Sequence, residues 1–281
     1  MKVDEFTDII YDKDENTGIV TVTINIPKRK NALSNVTFLE LEYAAQALQK
    51  DKTAKAMILI GAKDPDIPDP KKEAFSSGGY FNMAFLKTID PEIMKELNLA
   101  DIAQKKTCLK FWELDKPVIA AVNGLAIGAG FTFPLTCADL IYMSEHAWVR
   151  FGFVHLGILP EFATTYIIPR LLGFQKAKEL FYFGATLNAQ EIVDLGLANE
   201  VVPHESLLDY CKEKALQLIP PKAAGFGIRL QKRAVNRPLI EALSRALDAE
   251  NKGLGKATTS SDFNEAMKAR KEKRDPVFKG K

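Results

Sequence analysis

Residues 116–133 read KPVIAAVNGLAIGAGFTF, and this stretch decides the fold. Its apolar run at 118–122 predicts a short buried strand. A turn at 123–124 then leads through further glycines into a helix that we expect to begin near Gly128. The start of such a helix presents unpaired N–H groups and the positive end of a dipole, which suits a developing negative oxygen.

The chain before this stretch alternates strand and helix signals. Residues 18–26 (GIVTVTINI) alternate apolar and polar side chains, which predicts a half-buried strand. Apolar residues then recur with helical spacing over 39–48, and Ser34 or Asn35 supplies the helix cap. A second apolar run, 56–60, predicts a buried strand, and a long loop rich in proline and glycine follows it.

The same alternation continues beyond this loop. We predict one helix over 91–114, a strand over 140–143, and helices over 164–172, 174–183 and 189–195. Repeated alternation of this kind predicts the α/β class.

After Pro203 the strand signal fades. Amphipathic helical patterns take its place over 205–218, 223–235, 239–250 and 262–273. We therefore predict an α/β core at 1–203 and a helical region at 204–281. Such short helices need a partner for their apolar faces, so we expect them to pack onto the core or onto a neighbouring subunit.

Composition bounds the function. The 281 residues contain 38 Lys plus Arg against 36 Asp plus Glu, and a net charge of +2 argues against nucleic acid as the main partner. No run of 18 apolar residues or secretory signal is legible, so we expect no membrane span. The cysteines, Cys108, Cys137 and Cys211, are few, odd in number and widely spaced, as in a cytoplasmic protein with reduced thiols. His146 and His204 lack neighbours at metal-ligand spacing, and we expect no metal.

Two glycine-rich segments are candidates for a close approach to a ligand: 75–79 (FSSGG) and 123–130 (NGLAIGAG). Taken singly, each is as typical of a tight turn or close helix packing as of a binding site. No Lys-Ser or Lys-Thr pair follows Gly130, so the second segment does not match a phosphate-binding P-loop.

Taken together, five motifs resemble the enoyl-CoA hydratase/isomerase (crotonase) family. They are FSSGGYFNM at 75–83, KPVIAAVNGLAIGAGFTF at 116–133, CADLIYMSE at 137–145, LGILPEFATTYIIPRLLG at 156–173 and LNAQEIVDLGLANEVVP at 187–203. The resemblance implies a spiral of strand-strand-helix turns with a C-terminal helical region. It also implies a homotrimer or a dimer of trimers, an acyl-CoA thioester as substrate, and no cofactor beyond the coenzyme A moiety.

In the family the thioester oxygen lies between two backbone N–H groups, which the resemblance maps onto Gly79 and Ala129. The second position is usually glycine, and alanine is a mild departure. The family often has Asp where Tyr80 stands, and its apolar neighbours favour Tyr80 as a wall of the pocket. The resemblance extends the substrate-binding set to Ser77, Gly78, Tyr80, Phe81, Thr132, Phe133 and His155.

The acids distinguish the reactions of the family. Its hydratases resemble two-glutamate enzymes, but no acid lies between Gly124 and Ala138, and Thr132 stands where the first glutamate would be. Residues 151–160 also lack an acid. The first acid after them, Glu161, resembles the single glutamate of the family's isomerases. The resemblance therefore implies an isomerase in which Glu161 moves a proton from C2 to C4.

Basic residues for the phosphates of coenzyme A are expected at Lys28, Arg29 and Lys30, with the KARKEKR run at 268–274 as a second candidate. Either cluster is equally consistent with a solvated charged face. One alternative function is another reaction of the family, hydration or hydrolysis, using His155 or a water held by Glu161. A second is a non-catalytic thioester- or RNA-binding protein on the same fold, because fold does not fix function.

Overall fold

The protein is described by a computed structural model of residues 1–281, apart from the side chain of Met83. The strands are β1 (Ile9–Lys13), β2 (Ile19–Ile24), β3 (Ala56–Gly61), β4 (Ala74–Ser76), β5 (Val118–Val122), β6 (Leu125–Ile127), β7 (Leu140–Ser144), β8 (Trp148–Arg150), β9 (Thr186–Asn188) and β10 (Glu200–Val202). The helices are α1 (Asn35–Lys50), α2 (Met83–Leu86), α3 (Pro91–Glu96), α4 (Lys105–Glu113), α5 (Ala129–Cys137), α6 (Thr164–Leu172), α7 (Phe174–Phe183), α8 (Ala189–Asp194), α9 (Leu207–Gln217), α10 (Gly225–Asn236), α11 (Ile240–Ala257) and α12 (Ser261–Glu272).

The larger sheet has the strand order β1-β2-β3-β5-β7-β10. β1 and β2 form an antiparallel pair, and the remaining pairs are parallel. β5 lies at the centre of the parallel part, where Ala120 pairs with Leu59 on one side and Ile141 on the other. All five residues of β5 are buried, as expected for a strand covered on both faces.

The smaller sheet has the order β4-β6-β8-β9, with β4, β6 and β8 parallel and β9 antiparallel. Consecutive strands therefore alternate between the two sheets: β3 precedes β4, β5 precedes β6, and β7 precedes β8. Helices follow each of these pairs. This is the spiral of strand-strand-helix turns that the family resemblance implied.

The cap predicted for the first long helix is present. Ser34 Oγ accepts a hydrogen bond from the Thr37 amide, and Thr37 Oγ1 accepts one from the Ser34 amide. This reciprocal pair satisfies donors that the helix start would otherwise leave free.

The prediction of one helix over 91–114 was wrong. The structure has α3 and α4 there, with turns at 97–104 between them. Asn98 Oδ1 accepts from the Ala100 amide, and the Asp101 carboxylate accepts from the Lys105 and Lys106 amides. Short polar side chains that bond nearby amides compete with helix formation, so they end one helix and begin another.

Two helices of the predicted C-terminal region pack on the α/β core. Leu243, Leu247 and Leu254 of α11 belong to the same buried cluster as β2, β3 and β5. Leu207 and Cys211 of α9 are buried in a second cluster on the other face of the larger sheet. In the part of the chain that the structure describes, no helix combines the length and the apolar character needed to cross a membrane.

Candidate active site

The loop after β4 is pressed against the start of α5. Gly78 has a φ of +91°, and a Cβ atom there would lie 2.4 Å from the Ile127 carbonyl oxygen and 3.8 Å from the Ala129 nitrogen. Only glycine fits a left-handed position with backbone this near. The glycine therefore lets the 77–80 loop approach the first N–H groups of α5.

The start of α5 also requires glycine, because its backbone approaches the 76–78 segment closely. A Cβ atom at Gly130 would lie 2.2 Å from the Ser76 carbonyl oxygen, and Gly128 has a φ of +51°. Within the described atoms, neither the Gly79 N–H nor the Ala129 N–H donates a hydrogen bond. Two free amide donors, one of them at a helix start, can bind an anionic oxygen.

Glu161 lies next to this helix. Its carboxyl group is buried, and its Oε1 accepts a hydrogen bond of 2.8 Å from Thr132 Oγ1 on α5. Burial raises the pKa of Glu161 to about 8, against an opposing effect of the Thr132 hydrogen bond and with an added increase from the charge of Glu250. A carboxyl group with this pKa exchanges a proton near neutral pH.

The Thr132 hydroxyl has two possible acceptors. It lies 2.8 Å from Glu161 Oε1 and 3.3 Å from the Gly128 carbonyl oxygen, and it has one proton to donate. When Glu161 is ionised, Thr132 donates to the carboxylate. When Glu161 is protonated, its O–H can donate to Thr132, which turns its own proton to Gly128. The contact therefore suits both states of the acid.

Aromatic packing fixes Thr132 and Glu161 relative to each other. Phe133, the neighbour of Thr132, and Phe162, the neighbour of Glu161, have ring centroids 5.5 Å apart. Phe162 packs at the same distance on Phe38, and both Phe133 and Phe162 are fully buried. Apolar packing of this kind keeps water from the carboxyl group and sustains its raised pKa.

The predicted basic segment lies directly against the 77–80 loop. The Ser77 amide donates to the Lys30 carbonyl (2.9 Å), and the Ser77 hydroxyl donates to the Arg29 carbonyl (3.2 Å). Leu33 extends the contact, because its amide donates to Gly78 and its carbonyl accepts from the Tyr80 amide, both at 2.8 Å. The backbone thus places the basic turn beside the candidate thioester site.

The three basic side chains of this turn have different surroundings. Lys28 forms ion pairs with Asp64 and Asp66, so its charge is already partly neutralised. The Arg29 guanidinium lies 4.4 Å from the centroid of the Tyr80 ring, which makes Tyr80 a stacking partner. Lys30 is exposed. The KARKEKR run ends in Arg274, which pairs with Glu265 and Glu272.

His155 and Phe81 are two further residues that the resemblance predicted for the site. His155 is exposed and packs against Gly184, where a Cβ atom would lie 2.4 Å from its Nε2. Phe81 packs edge-on to Phe263 of α12, with centroids 5.9 Å apart. His155 is therefore a surface residue between two segments, and no described hydrogen bond links it to Glu161.

Sequence reasoning missed Glu250. Its side chain is buried on α11, and it accepts hydrogen bonds from the Ala163 amide (2.8 Å), the Thr165 amide (3.0 Å) and the Thr165 hydroxyl (2.6 Å). Burial raises its pKa to about 7. A signal was available, because Glu250 falls on the apolar stripe of α11 at helical spacing from Leu247 and Leu254. Among the described residues, no group of His, Cys, Asp and Glu is arranged to hold a metal ion.

Comparison with known proteins identifies the family. The family model for enoyl-CoA hydratase/isomerase matches residues 14–281. A short-chain-enoyl-CoA hydratase of Clostridium acetobutylicum is 32% identical over 277 residues, covering 96% of this chain and 97% of the relative. An enoyl-CoA isomerase/hydratase of Mycosarcoma maydis is 30% identical, covering 95% of this chain and 94% of the relative.

A solved structure gives the same answer for the fold. The enoyl-CoA hydratase/isomerase of Pseudoalteromonas atlantica T6c superposes with a TM-score of 0.81 at 25% identity, covering 97% of this chain and 100% of that one. The predicted α/β spiral with C-terminal helices is confirmed, and so is the prediction of an enzyme of this kind. The protein is therefore a member of the enoyl-CoA hydratase/isomerase family.

Proposed function

We propose that the protein is an enoyl-CoA isomerase that converts a 3-enoyl-CoA into a 2-enoyl-CoA. The observation that carries the proposal is one buried carboxyl group, Glu161, hydrogen-bonded at 2.8 Å to Thr132 of the helix whose first N–H is free. A shift of a double bond requires one group that removes a proton and returns it two carbons away. It requires no second acid and no water.

In the proposed mechanism the Glu161 carboxylate removes a proton from C2 of the thioester. The electron pair moves into the carbonyl group, and the enolate oxygen is stabilised by the Gly79 and Ala129 N–H groups. Glu161 then returns the proton to C4 as the carbonyl re-forms, which leaves the double bond between C2 and C3. Substrate and product are isomers, so protons and electrons balance.

The raised pKa of Glu161 supports this role. A base whose conjugate acid has a pKa of about 8 is strong enough to remove a weakly acidic C2 proton and is still partly ionised at pH 7. Its buried surroundings also keep water from the enolate. The rate should therefore rise with pH toward pH 8 as Glu161 ionises.

In this proposal Arg29 and Lys30 contact the phosphates of coenzyme A, and Ser77, Gly78, Tyr80, Phe81 and Phe133 line the thioester and acyl sites. The support is the backbone contact between the basic turn and the 77–80 loop. Lys28 takes a lesser share, because Asp64 and Asp66 compete for its ammonium group. The substrate brings its own coenzyme A, and the reaction needs no further cofactor.

Hydration of a 2-enoyl-CoA is the second candidate, because relatives such as the one from Clostridium acetobutylicum are named hydratases. Addition of water would call on a second acid or base. The other buried carboxyl group near Glu161 is Glu250, and three donors occupy its oxygens. Because the oxygens of Glu250 are already hydrogen-bonded, isomerisation is favoured over hydration.

A single experiment in deuterated water separates the candidates. The protein is incubated with 3-enoyl-CoA and 2-enoyl-CoA thioesters of several chain lengths, and products are analysed by mass spectrometry and NMR. Isomerisation gives the 2-enoyl product, with any deuterium confined to C2 and C4. Hydration gives a 3-hydroxyacyl product that carries the added mass of water.

The assignment of Glu161 is tested with Glu161→Gln, which keeps the volume and removes the base. We expect turnover to fall by about 10²- to 10⁴-fold, with the affinity for a saturated acyl-CoA, measured by calorimetry, nearly unchanged. Glu179→Gln on α7 is the matched control, since Glu179 is exposed and pairs only with Lys176 among the described residues. Full turnover in Glu161→Gln would remove this residue from the mechanism.

The proposal includes assembly as a trimer or a dimer of trimers in the cytoplasm. Three large apolar side chains on α7, Phe174, Tyr182 and Phe183, are 64%, 65% and 77% exposed in the single chain, which supports a subunit contact there. The three free, buried cysteines are consistent with a reducing compartment. Light scattering of the purified protein tests the assembly.

A further inference from the structure

We infer that Glu250, on α11 of the C-terminal region, is a positioning residue for Glu161. It binds the first turn of α6 and thereby fixes the two-residue bend, Phe162 and Ala163, that directly follows the base. The inference rests on the proposed role of Glu161.

The start of α6 has no cap of its own. Its N-cap residue is Ala163, which has no polar side chain to accept the N–H groups of the first turn. Glu250 supplies the missing acceptor from another element. Its Oε2 accepts from the Ala163 amide at 2.8 Å, and its Oε1 accepts from the Thr165 amide at 3.0 Å and the Thr165 hydroxyl at 2.6 Å.

The bend that Glu250 binds is strained. Phe162 and Ala163 have φ values of +58° and +57°, a left-handed conformation that is unfavourable for a non-glycine residue. Two such residues in succession persist only where surrounding contacts hold them. The Glu250 carboxylate provides such contacts at Ala163, and the packing of the Phe162 ring provides others.

A second residue of α11 holds the bend from its other side. Asn251 Oδ1 accepts from the Ala103 amide at 2.7 Å, and the Ala103 carbonyl accepts from the Phe162 amide at 3.3 Å. The Asn251 amide group also donates to Asp101 Oδ1 at 2.8 Å. Adjacent residues of one helix thus reach both amides of the bend, Glu250 directly and Asn251 through Ala103.

Glu161 is covalently joined to this bend, so a change in the bend moves its carboxyl group. Displacement of a catalytic group by about 1 Å can reduce a rate by about a hundredfold. Glu250 also acts on Glu161 through charge, because its carboxylate raises the pKa of Glu161. The other titratable groups near Glu250 are Cys108 of α4, on whose thiol its charge acts, and Asp101, the partner of Asn251.

The test compares Glu250→Gln with the native protein. The amide keeps the size of the side chain but loses the charge and replaces one acceptor oxygen with an NH₂ group, which repels the amide it faces. Two properties are measured: kcat and KM on the high-pH plateau, where Glu161 is ionised in both proteins, and the ionisation of the Glu161 carboxyl group. Carbon-13 NMR of glutamate-labelled protein reports the ionisation, with the resonance assigned by its loss in Glu161→Gln.

We expect kcat to fall by about tenfold to a hundredfold on the plateau, with KM within about threefold of the native value. Loss of the neighbouring charge should move the Glu161 midpoint to lower pH. Asp248→Asn is the matched control, because it removes an exposed carboxylate from the same helix, where Asp248 pairs with Lys105. This control should leave both properties at native values.

Glu250→Asp keeps the proposal testable if Glu250→Gln does not fold. It retains the charge but shortens the side chain by one methylene, so kcat should fall without a move of the Glu161 midpoint to lower pH. Native kcat in a folded Glu250 variant, or an unchanged midpoint in folded Glu250→Gln, would overturn the inference. If Glu161→Gln retains full turnover, the proposed function fails, and the midpoint in Glu250→Gln still reports whether Glu250 acts on Glu161.

Discussion

The first turns of α5 and α6 face the same chemical problem and meet it in opposite ways. Both helices begin after a residue with positive φ, Gly128 in one case and Ala163 in the other, and neither has a side-chain cap at its N-cap residue. The Ala129 N–H of α5 donates to no described protein atom, whereas Glu250 accepts from the first turn of α6.

The difference distinguishes a helix start that can bind a ligand, that of α5, from one that connects two elements of the fold, that of α6. A helix start with free N–H groups retains its attraction for a negative oxygen from outside the chain. At a helix start that is closed by a buried carboxylate, the N–H groups already bind that carboxylate, and the contact holds two elements of the fold together. Glu161 lies between the two, hydrogen-bonded to α5 through Thr132 and followed directly by the bend that leads into α6.

Among changes to the two helix starts, the largest effect is expected from removing an N–H donor of the open one. Ala129→Pro removes one N–H at the first helical position, where proline is tolerated because no intrahelical bond is lost. Loss of one oxyanion donor should lower kcat by about 10²- to 10³-fold, or roughly 3 to 4 kcal/mol. Steady-state kinetics with a 3-enoyl-CoA measures the effect, and thermal unfolding establishes that the variant is folded.

Ala129→Ser is the control, because it changes the side chain and retains the N–H. It should keep a rate within a few-fold of the native enzyme. A folded Ala129→Pro protein with native kcat would mean that the open start of α5 does not bind the reacting oxygen.

Much of the open helix start could be predicted from the sequence, because its signals are local. The strand at 118–122, the glycines around Ala129 and the acid-free stretch up to Glu161 all lie within 45 residues. Ser34 as the cap of α1 was equally legible. The short strands of the smaller sheet were not predicted from the residues, since three residues carry too little periodicity to identify a strand.

The closed helix start could not be predicted, because its parts are distant in sequence. Glu250 lies 85 residues from Thr165, and nothing in either segment alone indicates the pairing. The φ values of Phe162 and Ala163 were equally hidden, because neither residue is a glycine that would mark a left-handed position. The break between α3 and α4 does not follow from apolar spacing, because Asn98 and Asp101 end and begin helices by accepting from nearby backbone amides.

The second prediction concerns the free energy of unfolding, which should depend on pH because Glu161 is an ionisable group buried beside the open helix start. The pKa of Glu161 rises from 4.5 to about 8 on folding, so its contribution to stability is complete below pH 4.5 and is lost as pH rises through 8. In Glu161→Gln the side chain stays neutral, so this contribution to stability is not lost at high pH. With about 1.4 kcal/mol per pKa unit, the variant should be more stable than the native enzyme by a few kcal/mol at pH 8.5.

Denaturant unfolding at pH 5.0 and pH 8.5 provides the measurement. The native enzyme and Glu161→Gln should have similar free energies of unfolding at pH 5.0 and should diverge at pH 8.5. The pH dependence of Glu250 has the same sign and is present in both proteins, so the difference between them reports the ionisation of Glu161 together with its charge coupling to Glu250. An equal difference at the two pH values would show that Glu161 ionises in the fold as it does in the unfolded chain.

The smallest effect is expected from weakening the closed helix start by one hydrogen bond. Thr165→Val removes the hydroxyl that donates to Glu250 Oε1 and leaves both amides in place. The loss should be about 1 kcal/mol, a fall of roughly 2 °C in melting temperature for a chain of this size. The effect should be larger at pH 8.5 than at pH 5.0, because the pKa of Glu250 is about 7 and hydrogen bonds to a charged acceptor are stronger. Thr186→Val, at an exposed position of β9, controls for the loss of a hydroxyl group. A fall in melting temperature that is equal at both pH values would mean that the Thr165 hydroxyl does not bind an ionising carboxyl group.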